Sequence, residues 1–303
     1  MILYAPAKVN LYLRILSRRP DGYHNLETVF ERIALCDKII LRSLPIERRS
    51  RTDSVNGYVK IFCDNPEVPT GVGSLAYRAV ELFKKQFCIS KGVEIKIFKK
   101  IPIASGLAGG SSDVATILKG LLSLWGLPLR LPELTRIGKR LGADVPFFLN
   151  NNSFAVARNR GDEIKPLKWK IKLWHLLVTF PMGLLSKEIY ERYAAGTSCA
   201  LTKRPRITKI LSSFSSEVTG EDIRAFSEND LESTVLKKEP VIAELKRSLK
   251  DLGMRHSLVS GSGPSVFSLF DDRKEAMRAR GALIKRFPVC KKKGWQILVI
   301  PTI

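Results

Sequence analysis

The sequence predicts an α+β protein of two lobes with a cleft, and three observations carry that expectation. A chain of 303 residues with 45% hydrophobic content exceeds what one ordinary core needs, so length favours two domains. The N-terminal third reads mostly as strand. The second half groups its strands and helices separately instead of alternating them strictly, which is the α+β pattern.

Taken in order, Val9 to Leu16 alternates apolar side chains around Asn10, Tyr12 and Arg14. Glu27 to Leu35 and Val93 to Ile97 share its β-branched, alternating character, so all three are expected strands. Leu75, Ala79, Leu82 and Phe83 recur at helical spacing behind Ser74, an N-cap residue type, predicting a helix from Ser74 to Phe87. After Pro102 a glycine loop runs directly into Val114 to Trp125, an apolar segment long enough for a buried helix. A helix over Pro132 to Leu141 stops at Gly142, a residue suited to a C-terminal cap, and the return segment 143–148 carries Asp144 among apolar neighbours.

The polar stretch Arg158 to Lys170 sets the expected domain boundary, giving domains of 1–157 and 158–303. Beyond it, strands are expected at Trp174 to Phe180, Ser257 to Val259, Ser265 to Phe270 and Gln296 to Ile300. Helices are expected at Lys187 to Ala195, Ile223 to Phe226 with its extension, Val241 to Leu252 and Arg273 to Arg286. Ser43 to Gly57 and Ser212 to Ser216 read as surface loops, and no internal repeat is visible.

Composition narrows the function classes. No stretch reaches the roughly 18 to 20 apolar residues of a membrane span, and no signal-type segment precedes the first strand, so a soluble, cytoplasmic protein is expected. Cys36, Cys63, Cys88, Cys199 and Cys290 form no close pair, and with three histidines the usual zinc spacings cannot be built; free thiols are the expectation. Lys plus Arg outnumber Asp plus Glu by 51 to 29, and a net charge of +22 attracts nucleic acid, anionic lipid or a phosphorylated metabolite without choosing among them. The basic residues are spread along the chain. Clusters such as Arg48-Arg49-Ser50-Arg51 and Lys291-Lys292-Lys293 fall in polar connecting stretches and read as solvated surface.

The chemistry-bearing segment is Ser105 to Ser112, with three glycines and three serines in eight residues. Gly106, Gly109 and Gly110 let the backbone turn tightly and bring its N–H groups against an anion, Ser111 and Ser112 add hydroxyl donors, and the following helix adds its positive end. A tight turn before a buried helix would use the same glycines. No lysine follows them, so this is not the P-loop pattern, and the G-x-G pairs at Gly71 and Gly261 lack dinucleotide-binding spacing.

Pro102-x-x-x-Gly106-Leu107-Ala108-Gly109-Gly110-Ser111-Ser112 resembles the phosphate loop of the GHMP kinases, the galactokinase, homoserine kinase, mevalonate kinase and phosphomevalonate kinase group. Pro6-Ala7-Lys8-Val9-Asn10-Leu11 and Val259-Ser260-Gly261-Ser262-Gly263-Pro264-Ser265-Val266-Phe267 resemble two further motifs in the expected order. Within the group, Arg18-Arg19-Pro20-Asp21-Gly22-Tyr23-His24 through Phe30, and Leu141-Gly142-Ala143-Asp144 through Phe148, resemble the 4-diphosphocytidyl-2-C-methyl-D-erythritol kinases.

The resemblance implies a two-lobed GHMP-kinase fold. Its N-terminal lobe is a ribosomal-protein-like α+β unit with a left-handed βαβ-type crossover, and its C-terminal lobe is ferredoxin-like. The implied activity is transfer of the γ-phosphoryl of ATP, with Mg²⁺, to the 2-hydroxyl of the diphosphocytidyl substrate, in the non-mevalonate isoprenoid pathway.

Asp144 is implied as general base, with Lys8 close to it and to the reacting hydroxyl as electrostatic stabiliser. Pro102, Ser105, Gly106, Leu107, Ala108, Gly109, Gly110, Ser111, Ser112 and Lys99 are implied on the ATP side. Asn10, Tyr23, His24, Ser186 and Tyr190 are implied on the substrate side, with the rings stacking on cytosine. Ser112 is the one metal-proximal candidate.

Ser74, where asparagine is frequent, and Lys187, where proline is usual, depart from the pattern. A sister kinase acting on homoserine or a mevalonate-type alcohol would not need Tyr23, His24 and Tyr190. An RNA-binding protein, an alternative compatible with the strongly basic chain, would not need Lys8, Asp144 and the whole loop. The expected partner is therefore the small-molecule substrate, not nucleic acid or membrane, with the chain a monomer or weak homodimer.

Overall fold

The computed structural model describes residues 1–45, 58–196, 207, 217–288 and 294–303. Arg48 to Arg51, Ser212 to Ser216, Lys291 to Lys293, Cys199 and Cys290, with most of the expected loop at 43–57, lie outside the described residues. The chain forms two compact units that interleave in sequence. One comprises Met1–Pro6, Leu35–Ile101 and Gly109–Asn151, and the other Ala7–Ala34, Pro102–Ala108 and Asn152–Ile303. Two long strands, β1 (Ile2–Arg18) and β2 (His24–Leu44), contribute residues to both.

In the first unit the C-terminal half of β2 pairs antiparallel with β4 (Gly92–Phe98), from Lys38 opposite Phe98 to Leu44 opposite Gly92. Strand β3 (Val59–Cys63) lies parallel to β4. Parallel neighbours need a crossover, here helix α1 (Leu75–Phe87), whose N-cap is Ser74 as its residue type predicts: its Oγ accepts from Tyr77 N at 3.1 Å. Helix α2 (Gly109–Leu124) is apolar around most of its circumference and accordingly buried. It lies so near the strands that a β-carbon on Gly120 would stand 2.5 Å from side-chain atoms of both Leu3 and Leu41.

Helix α3 (Leu131–Leu141) is amphipathic, burying Leu134, Ile137, Gly138 and Leu141, and a single turn, α4 (Val145–Leu149), follows it. Gly142 ends α3, but its φ of 178° is ordinary extended backbone. Space beside it is limited: a β-carbon would meet Ser111 Oγ at 3.2 Å and Val145 Cγ2 at 3.4 Å.

In the second unit, β1 pairs in parallel with the two-residue strand β8 (Glu228–Asn229). The first half of β2 pairs antiparallel with β5 (Phe154–Asn159), which pairs with β6 (Glu163–Leu167). The polar stretch read as a boundary therefore contains a strand; among the described residues β6 pairs only with β5, and exposure explains its polarity. A separate antiparallel sheet runs in the order β11 (Gln296–Pro301), β7 (Trp174–Thr179), β10 (Val266–Phe270), β9 (Ser257–Val259).

Helices α5 (Ser186–Gly196), α6 (Gly220–Phe226), α7 (Glu232–Lys238), α8 (Pro240–Asp251) and α9 (Arg273–Arg286) complete it. Leu176, Val178, Val235, Ile242, Leu245, Val266 and Leu283 form a buried core in this unit. A wholly buried polar link joins the strands: His175 Nε2 and Glu31 Oε2 lie 2.9 Å apart.

Candidate active site

In the second unit, three segments far apart in sequence converge. Lys8, 4% exposed on β1, donates from Nζ to Asn10 Oδ1, and its ammonium stands 5.0 Å from the centre of the Phe30 ring. The Asn10 amide donates on to Thr28 Oγ1 at 2.8 Å, and Thr28 donates to Tyr12 O. A buried ammonium needs partners to stay charged, and this chain fixes the orientation of both side chains. The Lys8 N–H donates to Leu107 O at 3.1 Å, so the strand also holds the loop.

The loop is held from its other side by the segment between β9 and β10. Ser260 Oγ donates to Gly106 O at 3.0 Å and Ser265 N to Ser105 O at 3.2 Å, while Ser105 Oγ closes back on Pro102 O at 2.7 Å. Gly106 has φ +78°, and a β-carbon there would stand 2.1 Å from Ser260 O. Gly261, φ +56°, faces the other centre: its β-carbon would meet Asn10 Oδ1 at 3.0 Å and Lys8 Nζ at 3.5 Å. Both glycines serve close approach as well as turning.

Ala104 (φ 50°) and Ala108 (φ 58°) flank the loop in the left-handed region, a conformation that costs a residue with a β-carbon about 1–2 kcal/mol. Such strain, at both edges of a phosphate-loop motif, marks a segment whose shape is imposed by its contacts.

In the first unit the rest of the glycine segment is helical. Helix α2 begins at Gly109, so Gly109, Gly110, Ser111 and Ser112 make its first turn, with no acidic residue among them. Unpaired N–H groups in the first turn of a helix, with the positive helix end, are an arrangement that favours an anion. Ser112 is wholly buried, and its Oγ has no hydrogen-bond partner among the described residues. An orphaned buried hydroxyl costs about 1–3 kcal/mol unless a ligand satisfies it. Asp144 precedes α4 without capping it through its side chain, two residues after Gly142, which packs on Ser111.

Lys99 is placed differently from a solvent-facing cation. Its ammonium is buried between Asp37 Oδ2 and Asp113 Oδ2, the latter at 2.7 Å. Burial pushes the Asp113 carboxyl up to about 7, with Lys99 opposing and Asp37 reinforcing the shift. An acid whose pKa is raised on folding binds extra protons in the native state, so its stabilising contribution is full below the unfolded value near 3.8 and is lost as pH rises towards 7. Denaturant titrations of the protein and of Asp113→Asn are expected to show the difference: across pH 4 to 7 the unmodified protein loses stability relative to the variant. Parallel curves would contradict the shift.

On the substrate side, all in the second unit, His24 stacks on Tyr190 with ring centres 5.3 Å apart and planes 28° from parallel. Burial, then the Arg18 charge, lowers the His24 pKa, which favours the neutral ring. Tyr23 is 55% exposed, with the Arg160 guanidinium 5.2 Å from its ring centre. Ser186 Oγ and Ser262 Oγ share a hydrogen bond of 2.8 Å, linking the start of α5 to the segment that carries Ser260. Lys187 is exposed beside it.

Thr28, Ser260, Ser262, Asp37 and Asp113 were not foreseen as site residues. Ser260 and Ser262 lie inside a motif already visible, and Asp113 directly follows the two serines of the loop. Thr28 and Asp37 stand among many other polar residues of β2, and only their buried partners single them out.

The description "GHMP kinases N terminal domain" matches residues 74–152, and "GHMP kinases C terminal" matches 214–289. The chain is 38% identical over 303 residues to a 4-diphosphocytidyl-2-C-methyl-D-erythritol kinase of Pelobacter propionicus, covering 100% of this chain and 99% of the relative. It is 38% identical over 279 residues to a protein of the same description from Geobacter sulfurreducens, covering 92% and 93%. Among solved structures, a 4-(cytidine 5'-diphospho)-2C-methyl-D-erythritol kinase superposes with a TM-score of 0.71 at 29% identity, covering 100% of this chain and 99% of the other. A homoserine kinase from Cytophaga hutchinsonii, 17% identical, has the same TM-score, covers 100% and 94%, and shares the fold.

Proposed function

Because this chain belongs to the 4-diphosphocytidyl-2-C-methyl-D-erythritol kinases within the GHMP kinases, we propose that the residues gathered above carry that family's reaction in defined roles. The enzyme is an α+β kinase of the GHMP fold. It uses ATP to phosphorylate the 2-hydroxyl of 4-diphosphocytidyl-2-C-methyl-D-erythritol, giving the 2-phosphate, a step of the non-mevalonate isoprenoid pathway.

Asp144 takes the proton from the attacking hydroxyl, and Lys8 stabilises the negative charge that develops on transfer. Asn10, oriented by Thr28, contacts the substrate near that hydroxyl. Pro102 to Ala108 and the first turn of α2, Gly109 to Ser112, bind the ATP phosphates through backbone N–H groups and the serine hydroxyls. The observation that carries this reading is the convergence of Lys8 and Asn10, the Ser105–Leu107 loop and the Ser260–Ser265 segment through named hydrogen bonds. Those segments are the three motifs that the family resemblance singles out.

Mg²⁺ fits the donor set. The buried Ser112 hydroxyl, which has no hydrogen-bond partner among the described residues, would hold it together with the phosphates. Bound there, it would supply positive charge against the phosphates. No helix among the described residues is long and apolar enough to cross a membrane. We place the enzyme in the cytoplasm, as a monomer or weak homodimer acting on small molecules, with its two family domains divided near residue 158.

His24 and Tyr190, with Tyr23 and Ser186, hold the cytidine: the two stacked rings part to take the base between flat faces. Tyr190→Ala is expected to raise KM for the cytidyl substrate by about 3- to 10-fold, the range of one aromatic stacking contact, while KM for ATP moves by less than about twofold. Steady-state kinetics with each substrate varied in turn checks this. Equal rises in both constants would contradict the assignment.

A further inference from the structure

A buried polar assembly of the first unit gathers residues that flank the phosphate-loop segment in sequence. Three successive backbone N–H groups, where the chain leaves β4 for the loop, are tied to carboxylates. Lys99 N donates to Asp64 Oδ1 at 2.9 Å, and Lys100 N and Ile101 N donate to Asp37 Oδ1 at 2.6 and 2.9 Å. Asp37 is wholly buried, and its other oxygen takes the Lys99 ammonium, which reaches on to Asp113 in α2. The chain returns from the loop at Gly109, against this group: a β-carbon there would stand 2.9 Å from Ile101 Cγ2 and 3.3 Å from Lys99 Nζ.

We propose that Lys99 is a positioning residue for ATP binding, one that acts with Asp37 and Asp113 to clamp the residue before the phosphate loop to the first turns of α2. This rests on the kinase reading above. Family resemblance implies that Lys99 lies on the ATP side; its ammonium is instead committed to two carboxylates, so it reaches the nucleotide through the backbone it fixes. The clamp works because each member needs the others. Two buried carboxylates without a cation repel each other, and a lone buried ammonium has no compensation. Removing Asp37 therefore frees Lys100 N and Ile101 N along with the ammonium, and the N–H groups that face the phosphates lose their fixed direction.

The test is ATP binding by calorimetry, without acceptor substrate, for Lys99→Met, Asp37→Asn and Lys99→Arg, each checked for folding by circular dichroism. Cytidine diphosphate serves as probe of the other subsite. Lys99→Met and Asp37→Asn are each expected to weaken ATP by about tenfold or more, the scale of a small misplacement of binding groups, with cytidine diphosphate affinity held within about twofold. Lys99→Arg, which retains a cation, is expected to recover most of the loss.

Wild-type or tighter ATP binding by Asp37→Asn, together with loss in Lys99→Met, would overturn the proposal, because that pattern belongs to an ammonium that touches ATP itself. Unchanged affinity in both would also overturn it. If Lys99→Met does not fold, Asp37→Asn and Lys99→Arg decide by the same criteria. A protein that binds ATP as described but turns over no cytidyl substrate would sink the substrate assignment and leave the clamp standing.

Discussion

Asp144→Asn is expected to lower kcat by about 10³-fold while ATP still binds, the middle of the range for loss of a general base. The substitution is close to isosteric and removes the charge and the basicity together, so folding is little perturbed and the chemical step bears the effect. Asp144 is suited to the task by its setting. It is half-buried just ahead of α4 and two residues from Gly142, whose contact with Ser111 ties the turn to the start of α2. Single-turnover measurements separate binding from chemistry. A variant with normal kcat would remove Asp144 from the mechanism, and one that no longer bound ATP would give it a structural role.

Gly106→Ala is expected to cost about 3 kcal/mol or more of stability. The new methyl would stand 2.1 Å from Ser260 O and 3.0 and 3.1 Å from Gly263 N and O, none of them the end of a flexible side chain. Overpacking costs about 1–3 kcal/mol and a left-handed conformation about 1–2 more. Gly110→Ala provides the contrast: the nearest atom to its β-carbon is Leu75 Cδ1 at 3.8 Å, and the residue lies in α2. That variant is expected to be neutral or up to about 1 kcal/mol more stable, since alanine favours helix. Urea denaturation of both checks the pair. Equal effects would show that the loop does not depend on its approach to Ser260.

Much of this was legible in the sequence, for reasons that differ from place to place. Helical spacing announced α1, the length of an apolar segment announced α2 and a terminating glycine marked the end of α3, while the limits of α9 and of β9 follow the predicted ranges. The glycine-rich segment was recognisable because close backbone approach admits few residue types. What a linear reading misplaced was the boundary between loop and helix: Gly109 to Ser112 read as loop, yet they form the first turn of α2, because N-terminal N–H groups need no partner within the helix.

Strand β5 escaped because its apolar run Phe154 to Ala157 is buried throughout and does not alternate, and β6 because it is polar and exposed. Gly142 was rightly seen as helix-ending, but its φ is ordinary extended backbone, and the feature that favours glycine there is the limited space beside Ser111. Asp37 and Thr28 were invisible as site residues. A buried carboxylate or hydroxyl in a strand gains meaning only from partners that the fold brings from elsewhere, here Lys99 to Ile101 and Asn10.

The most direct test of the central claim is ATP consumption by the purified protein with Mg²⁺ and 4-diphosphocytidyl-2-C-methyl-D-erythritol, run beside homoserine and mevalonate, with Asp144→Asn as control. Turnover with the cytidyl substrate alone, lost in the variant, is the predicted result. Turnover on homoserine or mevalonate instead, or undiminished turnover in the variant, would contradict it.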